Sequence, residues 1–205
     1  VFAFAQERGI KAVNISLIPN WPSPYMITKN AVDRFLEMYY LEMGSDLCSL
    51  RFTHVYGSKQ KLAPVQKAIP TFIYRAYKNR PIPIFGSGKQ LMDCIHVDDA
   101  VRMLWGASQH DLAGKVFEVG SGEGITVADL AQRVVDITGT EAKLEILDMR
   151  PGEPDQSDSF KPADLTQVKG LMPELYADGL ISLEDGLART VSEYYDKWDK
   201  TDPGI

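Results

Sequence analysis

The sequence predicts an α/β fold built on a largely parallel sheet. Three observations support this fold class: strand-like segments alternate with amphipathic helical segments, glycine turns end several strands, and polar capping residues mark where helices begin. With 205 residues, 44% of them hydrophobic, the chain is long enough for one large core or two smaller ones.

The first half of the chain contains the longest predicted helix. Residues 28–43 carry apolar side chains at helical spacing, and Gly44 follows as a C-terminal stop. The next segment, DLCSLRFTHVYG, is typical of a strand that ends in a glycine turn. Residues 58–80 begin polar and become helical, with Pro70 expected in the first turn of that helix.

The alternation continues in the middle of the chain. RPIPIFGSGKQLMDCIHV predicts two strands around a Gly-Ser-Gly turn, and DDAVRMLWGASQH predicts a helix whose first turn carries two acids. KVFEVGSGEG predicts a further strand, and the helix after it is expected to begin at Thr126 and to stop at Gly139.

The remaining elements repeat this order. AKLEILDM predicts a strand, and RPGEPDQSDSFKPAD predicts a polar, proline-rich loop. LISLEDGLARTVSEYYDKW predicts the last helix, with Ser182 as its cap.

Charge and composition argue against several classes of protein. The formal net charge of −6 and the absence of a basic stripe argue against a nucleic-acid partner. No apolar run reaches the ~20 residues of a membrane-spanning helix. Cys48 and Cys94 have no nearby histidine partners, so they form neither a disulfide framework nor a zinc site, and a reducing cytoplasm is the expected location.

Several polar and glycine-rich features are interpreted as structural. Neither FGSGK nor VGSGEG fits the dinucleotide-binding fingerprint, and both are expected to be tight turns. VGSGEG does lie between a strand and a helix, but the spacing of its glycines is wrong. Asp98 and Asp99 suit the start of a helix better than a metal site, and His96 has no partner at ligand spacing. The sequence therefore predicts no metal ligands.

Tyr25 and Lys29 form a candidate chemical pair. On a helix, residues four apart project from one face and can reach a common ligand. A tyrosine phenol has an ordinary pKa of about 10, and a neighbouring ammonium favours its ionised form. The spacing alone is more typical of two polar residues on a surface helix than of a catalytic pair.

A series of segments occurs in the order found in a known family: SPYMITK, RFTHVYG, IPTFIYRAYKNRPIPIFGSGKQLMDCIHVDDAVRML, FEVGSGEGITVADLAQ, and RPGE…ADL…ISLEDGLARTVSEYY. This succession resembles the extended short-chain dehydrogenase/reductase family, specifically its NAD-dependent nucleotide-sugar epimerases and dehydratases. The resemblance implies a partial Rossmann-type, doubly wound parallel sheet with a smaller α/β substrate-binding domain.

The resemblance also implies chemistry at the Tyr25–Lys29 pair. Tyr25 would act as acid and base on a sugar hydroxyl, Lys29 would hold the nicotinamide ribose and favour the phenolate, and NAD would be the cofactor. The implied function is that of a nucleotide-sugar epimerase similar to UDP-glucose 4-epimerase. The alternatives are a nucleotide-sugar 4,6-dehydratase or decarboxylase on the same scaffold, or a truncated, degenerate relative without catalytic activity.

Two further residues are implied as substrate contacts. His54 stands where many relatives carry an asparagine beside the nucleotide sugar, and Arg150 matches an arginine that relatives use on the diphosphate. The alternatives are a histidine packed at a strand end and a solvent-exposed loop arginine. Met92 is a departure from the family, because relatives commonly carry arginine there, and it leaves the identity of the nucleotide sugar open.

The resemblance implies a division of the chain into two domains. Residues 1–57 and 94–119 would be the remainder of the dinucleotide-binding domain, and residues 58–93 and 120–205 the substrate-binding domain. A homodimer is also implied, through the helix of Tyr25 and Lys29, whose second apolar flank includes residues at three positions, Phe35, Met38 and Tyr39. Burial of that flank within the chain is the alternative.

The cofactor half of the family is expected to precede Val1. The third catalytic residue, a serine or threonine, is likewise expected at or before Val1, because Ser16 is too near Tyr25 in sequence. We therefore expect these residues alone to be inactive, and to aggregate through the open edge of the sheet.

Overall fold

The computed structural model describes residues 1–19, 23–63, 66–150 and 160–199, which form a mixed α/β structure. Its helices are α1 (Phe2–Arg8), α2 (Pro24–Met43), α3 (Ala68–Tyr77), α4 (Val97–Gln109), α5 (Val127–Thr138), α6 (Thr166–Leu171), α7 (Glu174–Ala177) and α8 (Leu183–Trp198). Its strands are β1 (Ala12–Leu17), β2 (Leu47–Phe52), β3 (His54–Tyr56), β4 (Ile82–Phe85), β5 (Leu91–Met92), β6 (Cys94–His96), β7 (Val116–Val119), β8 (Ile125–Thr126) and β9 (Leu144–Leu147).

The predicted helix boundaries are confirmed where local capping determines them. Gly44 ends α2 with φ 64°, and Gly139 ends α5 with φ 62°, in the left-handed region that glycine adopts readily. The hydroxyl oxygens of Thr126 and Ser182 accept the amide hydrogens of residues three further on, which begins α5 and α8. Pro70 lies in the first turn of α3, as expected.

Other predicted elements differ from the structure. The segment after the Gly-Ser-Gly turn is divided into β5 and β6 at Asp93, so the prediction of a single strand there is wrong. β4 pairs in parallel with β9 and β5 pairs in antiparallel fashion with β8, so neither pairs with its sequence neighbour. Strand pairing of this kind is non-local, and local patterns do not reveal it.

The chain forms two compact units. The first contains Val1–Val55, Val97–Glu123 and Pro162–Leu180, and the second contains Tyr56–His96, Gly124–Lys161 and Ile181–Ile205.

The longest segment on which the two units and the predicted division differ is residues 162–180. Residues 162–180 belong to the first unit, because α6 packs on β7 and α7 packs on α4. A Cβ on Gly106 of α4 would overlap the side chain of Leu175 in α7, so these helices approach closely. The dinucleotide-binding and substrate-binding roles of the two units stay predictions.

The first unit is built on a parallel sheet of order β1-β2-β7. α2 and α4 both pack on β1 and β2. Ser49 and Arg51 of β2 face α2, whereas Leu50 and Phe52 lie on the other face and are buried. Both faces of β2 are therefore covered, as is typical of a parallel strand.

The second unit has its own core between its short sheets and three helices. α3, α5 and α8 supply most of the buried side chains, including Phe72, Leu130 and Tyr194. Trp198 of α8 stacks on Tyr194 with ring centroids 4.7 Å apart. None of the described helices in either unit is long and apolar enough to cross a membrane.

Candidate active site

The carboxyl ends of β1, β2 and β7 lie at one edge of the sheet, since the three strands are parallel. Leu17 is in register with Phe52, and Phe52 is in register with Val119. In open α/β sheets, ligands bind in the crevice outside the carboxyl ends of the strands. A functional site of the first unit is therefore expected at this edge.

α2 places Tyr25 close to that edge of the sheet. The helix follows β1 through a short connection, whose residues 20–22 lie outside the described part of the chain. Ser23 caps the helix, Pro24 takes its first position, and Tyr25 takes the second. The Tyr25 side chain is 61% exposed, so its phenol is open to a ligand.

Lys29 lies one turn further along α2 and is half-buried. Its Nζ donates a hydrogen bond to the carbonyl oxygen of Ile15, at 3.3 Å, near the end of β1. An ammonium group carries three donors, and among the described residues this is its single hydrogen bond. Lys29 is thus held against the strand and retains donors for a ligand.

A buried carboxylate lies one further turn along the same helix. Asp33 is 2% exposed and is surrounded by polar side chains of β1 and β2, which together with it form the Asp33 cluster: Asn14, Ser16, Asp33, Ser49 and Arg51. The Nε of Arg51 lies 2.8 Å from Oδ2 of Asp33 and forms an ion pair with it. Removing one partner of a buried pair typically costs ~3–5 kcal/mol.

The sequence analysis missed the Asp33 cluster, although a signal for it exists. Asn14 and Ser16 alternate along β1, and Ser49 and Arg51 alternate along β2, so each strand has one polar face. Asn14 is in register with Ser49, and Ser16 with Arg51. Asp33, four residues after Lys29, completes the pattern on α2.

Ser16 is fully buried and its hydroxyl is already engaged. Its Oγ donates to Oδ2 of Asp33 at 3.1 Å and lies 3.3 Å from the carbonyl oxygen of Lys29. Ser16 therefore belongs to the Asp33 cluster. The serine or threonine that would complete the catalytic set stays a prediction.

His54 lies just beyond the carboxyl end of β2 and is half-buried. The residue before it, Thr53, donates its amide to the carbonyl oxygen of Val119, which ties this segment to the end of β7. The structure therefore places His54 at the same edge of the sheet as the start of α2. Its contact with a substrate stays a prediction.

Arg150 belongs to the second unit, apart in the chain from the residues of α2. Its guanidinium carbon lies 4.1 Å from the ring centroid of Phe85, a cation–π contact that holds the side chain against β4.

Met92 in β5 is in register with Ile125 of β8 and packs against the apolar core of the unit. The departure at Met92 is thus accommodated by apolar packing.

The glycine-rich turns and the acid pair have the structural roles expected of them. Gly86 and Gly88 have φ of 72° and 70°, and a Cβ on Gly88 would lie 2.9 Å from Cγ2 of Ile84. Asp98 and Asp99 both lie in the first turn of α4, and Asp99 pairs with Arg102 at 2.9 Å. These features account for the local backbone at the Gly86–Gly88 turn and at the start of α4.

The two cysteines are free and buried. Burial raises the pKa of Cys48 to about 11, and the pKa of Cys94 to about 12. A thiol nucleophile needs its thiolate form, so neither side chain is suited to nucleophilic chemistry near neutral pH.

The chain matches the model of the NAD dependent epimerase/dehydratase family over residues 7–120. It is 30% identical over 190 residues to the uncharacterised UDP-glucose epimerase YtcB of Bacillus subtilis strain 168, covering 92% of this chain and 56% of the relative. It is 28% identical over 190 residues to a dTDP-glucose 4,6-dehydratase of Streptomyces griseus, covering 92% and 54%. The chain spans about half the length of the curated relatives it matches.

A solved structure supports the predicted fold class. The UDP-glucose 4-epimerase of Thermotoga maritima, solved with UDP-glucose, superposes with a TM-score of 0.83 at 27% identity, over 96% of this chain and 67% of that one. With the parallel order β1-β2-β7, this likeness confirms the predicted α/β fold of Rossmann type. The chain belongs to the NAD dependent epimerase/dehydratase family.

Proposed function

We propose that the protein acts as an NAD-dependent nucleotide-sugar epimerase similar to UDP-glucose 4-epimerase. The observation that carries this proposal is the exposed phenol of Tyr25, one helical turn before an ammonium group that β1 holds in place. The named relatives support the substrate class, because one is named as an uncharacterised UDP-glucose epimerase and another, a UDP-glucose 4-epimerase, was solved with UDP-glucose.

In this proposal Tyr25 holds and moves the proton of a sugar hydroxyl. Lys29 lies one helical turn after Tyr25, on the same side of α2, so both side chains can reach one ligand. Its remaining donors and half-buried position suit the hydroxyls of a nicotinamide ribose. When bound, NAD supplies the acceptance and return of a hydride, which no protein side chain provides.

Two further residues contact the substrate in this proposal. His54 binds the sugar through a ring nitrogen at the carboxyl edge of the sheet. Arg150 binds the diphosphate, for which its fork of donors is suited, and its stacking on Phe85 orders the guanidinium before a ligand arrives.

A second candidate function is a dehydratase or decarboxylase on the same scaffold. The relative from Streptomyces griseus, a dTDP-glucose 4,6-dehydratase, favours this candidate, because its match covers 92% of this chain, as does the match to the epimerase relative.

A non-catalytic, degenerate relative is the candidate from another class. Met92 favours this candidate, because methionine replaces a cation that relatives commonly carry at that position.

The homodimer through α2 also stays a proposal. Of the three residues on the predicted flank, Phe35 is exposed, whereas Met38 and Tyr39 are half-buried. Tyr39 packs edge-on against Phe2, with ring centroids 6.2 Å apart. Light scattering of Phe35→Glu tests the proposal: the variant is expected to be monomeric where the wild type is dimeric, and an unchanged mass would contradict it.

A panel of nucleotide sugars tests the proposed activity. Binding is measured by thermal shift and turnover by product analysis, in the presence of NAD, for the whole wild-type protein and for its Tyr25→Phe variant. We expect Tyr25→Phe to lose about two to four orders of magnitude in turnover while binding nucleotide sugars almost normally. Tyr40→Phe, an exposed tyrosine of the same helix, is the matched control. Unchanged turnover in Tyr25→Phe would remove this residue from the mechanism.

A further inference from the structure

We propose that Asp33 is a positioning residue, whose buried carboxylate sets the register of α2 on the sheet and thereby the place of Tyr25 and Lys29. This inference rests on the proposed function for its catalytic consequence. Asp33 follows Lys29 by four residues and Tyr25 by eight, so the three residues succeed one another along one face of the helix.

The carboxylate of Asp33 is bound symmetrically by the two strands beneath it. Its Oδ1 accepts hydrogen bonds from Asn14 of β1 at 3.4 Å and from Ser49 of β2 at 2.6 Å. Its Oδ2 accepts hydrogen bonds from Ser16 of β1 at 3.1 Å and from Arg51 of β2 at 2.8 Å. Each oxygen is therefore tied to both strands.

This arrangement is sensitive to small movements of α2. A slide by one residue along the helix axis displaces Asp33 by about 1.5 Å, and a rotation by one residue turns it by about 100°. After either movement the two carboxylate oxygens cannot keep all four hydrogen bonds at once, because the donors lie in different directions. An apolar residue could fill the same space, but it would tolerate sliding, because apolar contacts have no direction.

The cluster contacts Lys29 directly. Ser16, which donates to Asp33, lies 3.3 Å from the carbonyl oxygen of Lys29, and the carbonyl of its neighbour Ile15 accepts from the Lys29 ammonium. The same two residues of β1 thus hold Lys29 at its backbone and at its side chain. A displacement of Asp33 therefore moves the ammonium relative to the edge of the sheet.

The test compares Asp33→Asn with a matched control on the same helix. Asparagine keeps the volume but presents an amide donor to Arg51 or to the serines, so the four bonds cannot all form. Glu37→Gln is the control, since Glu37 makes an exposed ion pair with Arg34, three residues away on the helix. Ser49→Ala is a milder second variant that removes a single donor to Oδ1.

One readout does not depend on activity. In protein labelled with 3-fluorotyrosine, the ¹⁹F line that Tyr25→Phe removes identifies Tyr25. We expect this line to be displaced in Asp33→Asn, displaced less in Ser49→Ala, and unchanged in Glu37→Gln. If Asp33→Asn fails to fold, Ser49→Ala carries the test.

The second readout compares the change in kcat with the change in KM for the nucleotide sugar. In Asp33→Asn we expect kcat to fall about 100-fold, as a displacement near 1 Å can cause, with KM for the nucleotide sugar nearly unchanged. A lower melting temperature with an unmoved Tyr25 line and unchanged kcat would overturn the proposal, because Asp33 would then be structural only. A displaced Tyr25 line in a protein without turnover on any nucleotide sugar would support the positioning and overturn the proposed function.

Discussion

The hydroxyl oxygen of Ser23 accepts a hydrogen bond from the backbone amide of Met26, at 3.1 Å, and so begins the helix whose second residue is Tyr25. Without this cap, the amide of Met26 loses its partner and the turn that carries Tyr25 frays. Ser23→Ala is expected to lower the free energy of unfolding by about 1 kcal/mol, as measured by urea denaturation. Ser23→Asp, which restores a capping oxygen, should recover most of the loss; equal losses in both variants would contradict the role of the cap.

Lys29→Met is expected to weaken NAD binding. The reason is that methionine offers no donors for the hydroxyls of a ribose, whereas the Lys29 ammonium retains donors beside its bond to Ile15. The measurement is titration calorimetry with NAD. Arg34→Met removes a positive charge from an exposed position of the same helix and is the control. Unchanged NAD affinity in Lys29→Met would show that this residue does not hold the cofactor.

Arg150→Ala is expected to reduce the affinity for nucleotide diphosphates by about tenfold or more, because a hydrogen bond to a charged group is lost. The affinity for free sugars should change little. Both are measured by calorimetry on the same protein preparation. Arg133→Ala, which removes an exposed partner of Glu184 in the same unit, is the control. Equal effects of Arg150→Ala on both ligand types would argue that the residue only packs against Phe85.

Burial of Cys48 makes a prediction about alkaline stability. Because its pKa rises to about 11 in the folded chain, and is about 8.5 in an unfolded chain, the folded state binds more protons between these values. Stability is therefore fully retained below about pH 8.5 and declines as pH rises toward 11. Denaturation at a series of pH values should show this decline, and Cys48→Ala should reduce its slope. A decline of equal slope in Cys48→Ala would contradict the assignment.

The same burial predicts slow reaction of the folded protein with a thiol reagent. At pH 8 a thiol with a pKa of about 11 is ionised in roughly one molecule in a thousand. The unfolded chain should react rapidly at both cysteines.

Local chemistry explains which parts of the fold could be predicted. The stops at Gly44 and Gly139 and the cap at Thr126 depend on residues within one turn, so their patterns are visible in the sequence. α6 and α7 were missed because they are short, and their packing on β7 and α4 depends on distant residues.

β1 shows what the pattern within one strand leaves open. Its face toward α2 carries Asn14 and Ser16, and its other face carries Val13, Ile15 and Leu17, which is the alternation of a half-buried strand. That alternation would leave the polar face in solvent, but Asp33 of α2 covers it and binds both polar side chains. The pairing of Asp33 with two strands depends on how α2 packs, whereas the spacing of Tyr25 and Lys29 lies within one helix.

The core of the second unit has a consequence for synthesis of the chain. The phenol of Tyr194 in α8 donates to the carbonyl oxygen of Gly57, 137 residues earlier, and Leu187 and Trp198 complete the same core. During synthesis, the N-terminal parts of this unit emerge from the ribosome well before α8 does. During that interval the partly assembled core exposes its apolar side chains, so chaperone occupancy in the cell should be greatest before residue 198 leaves the exit tunnel.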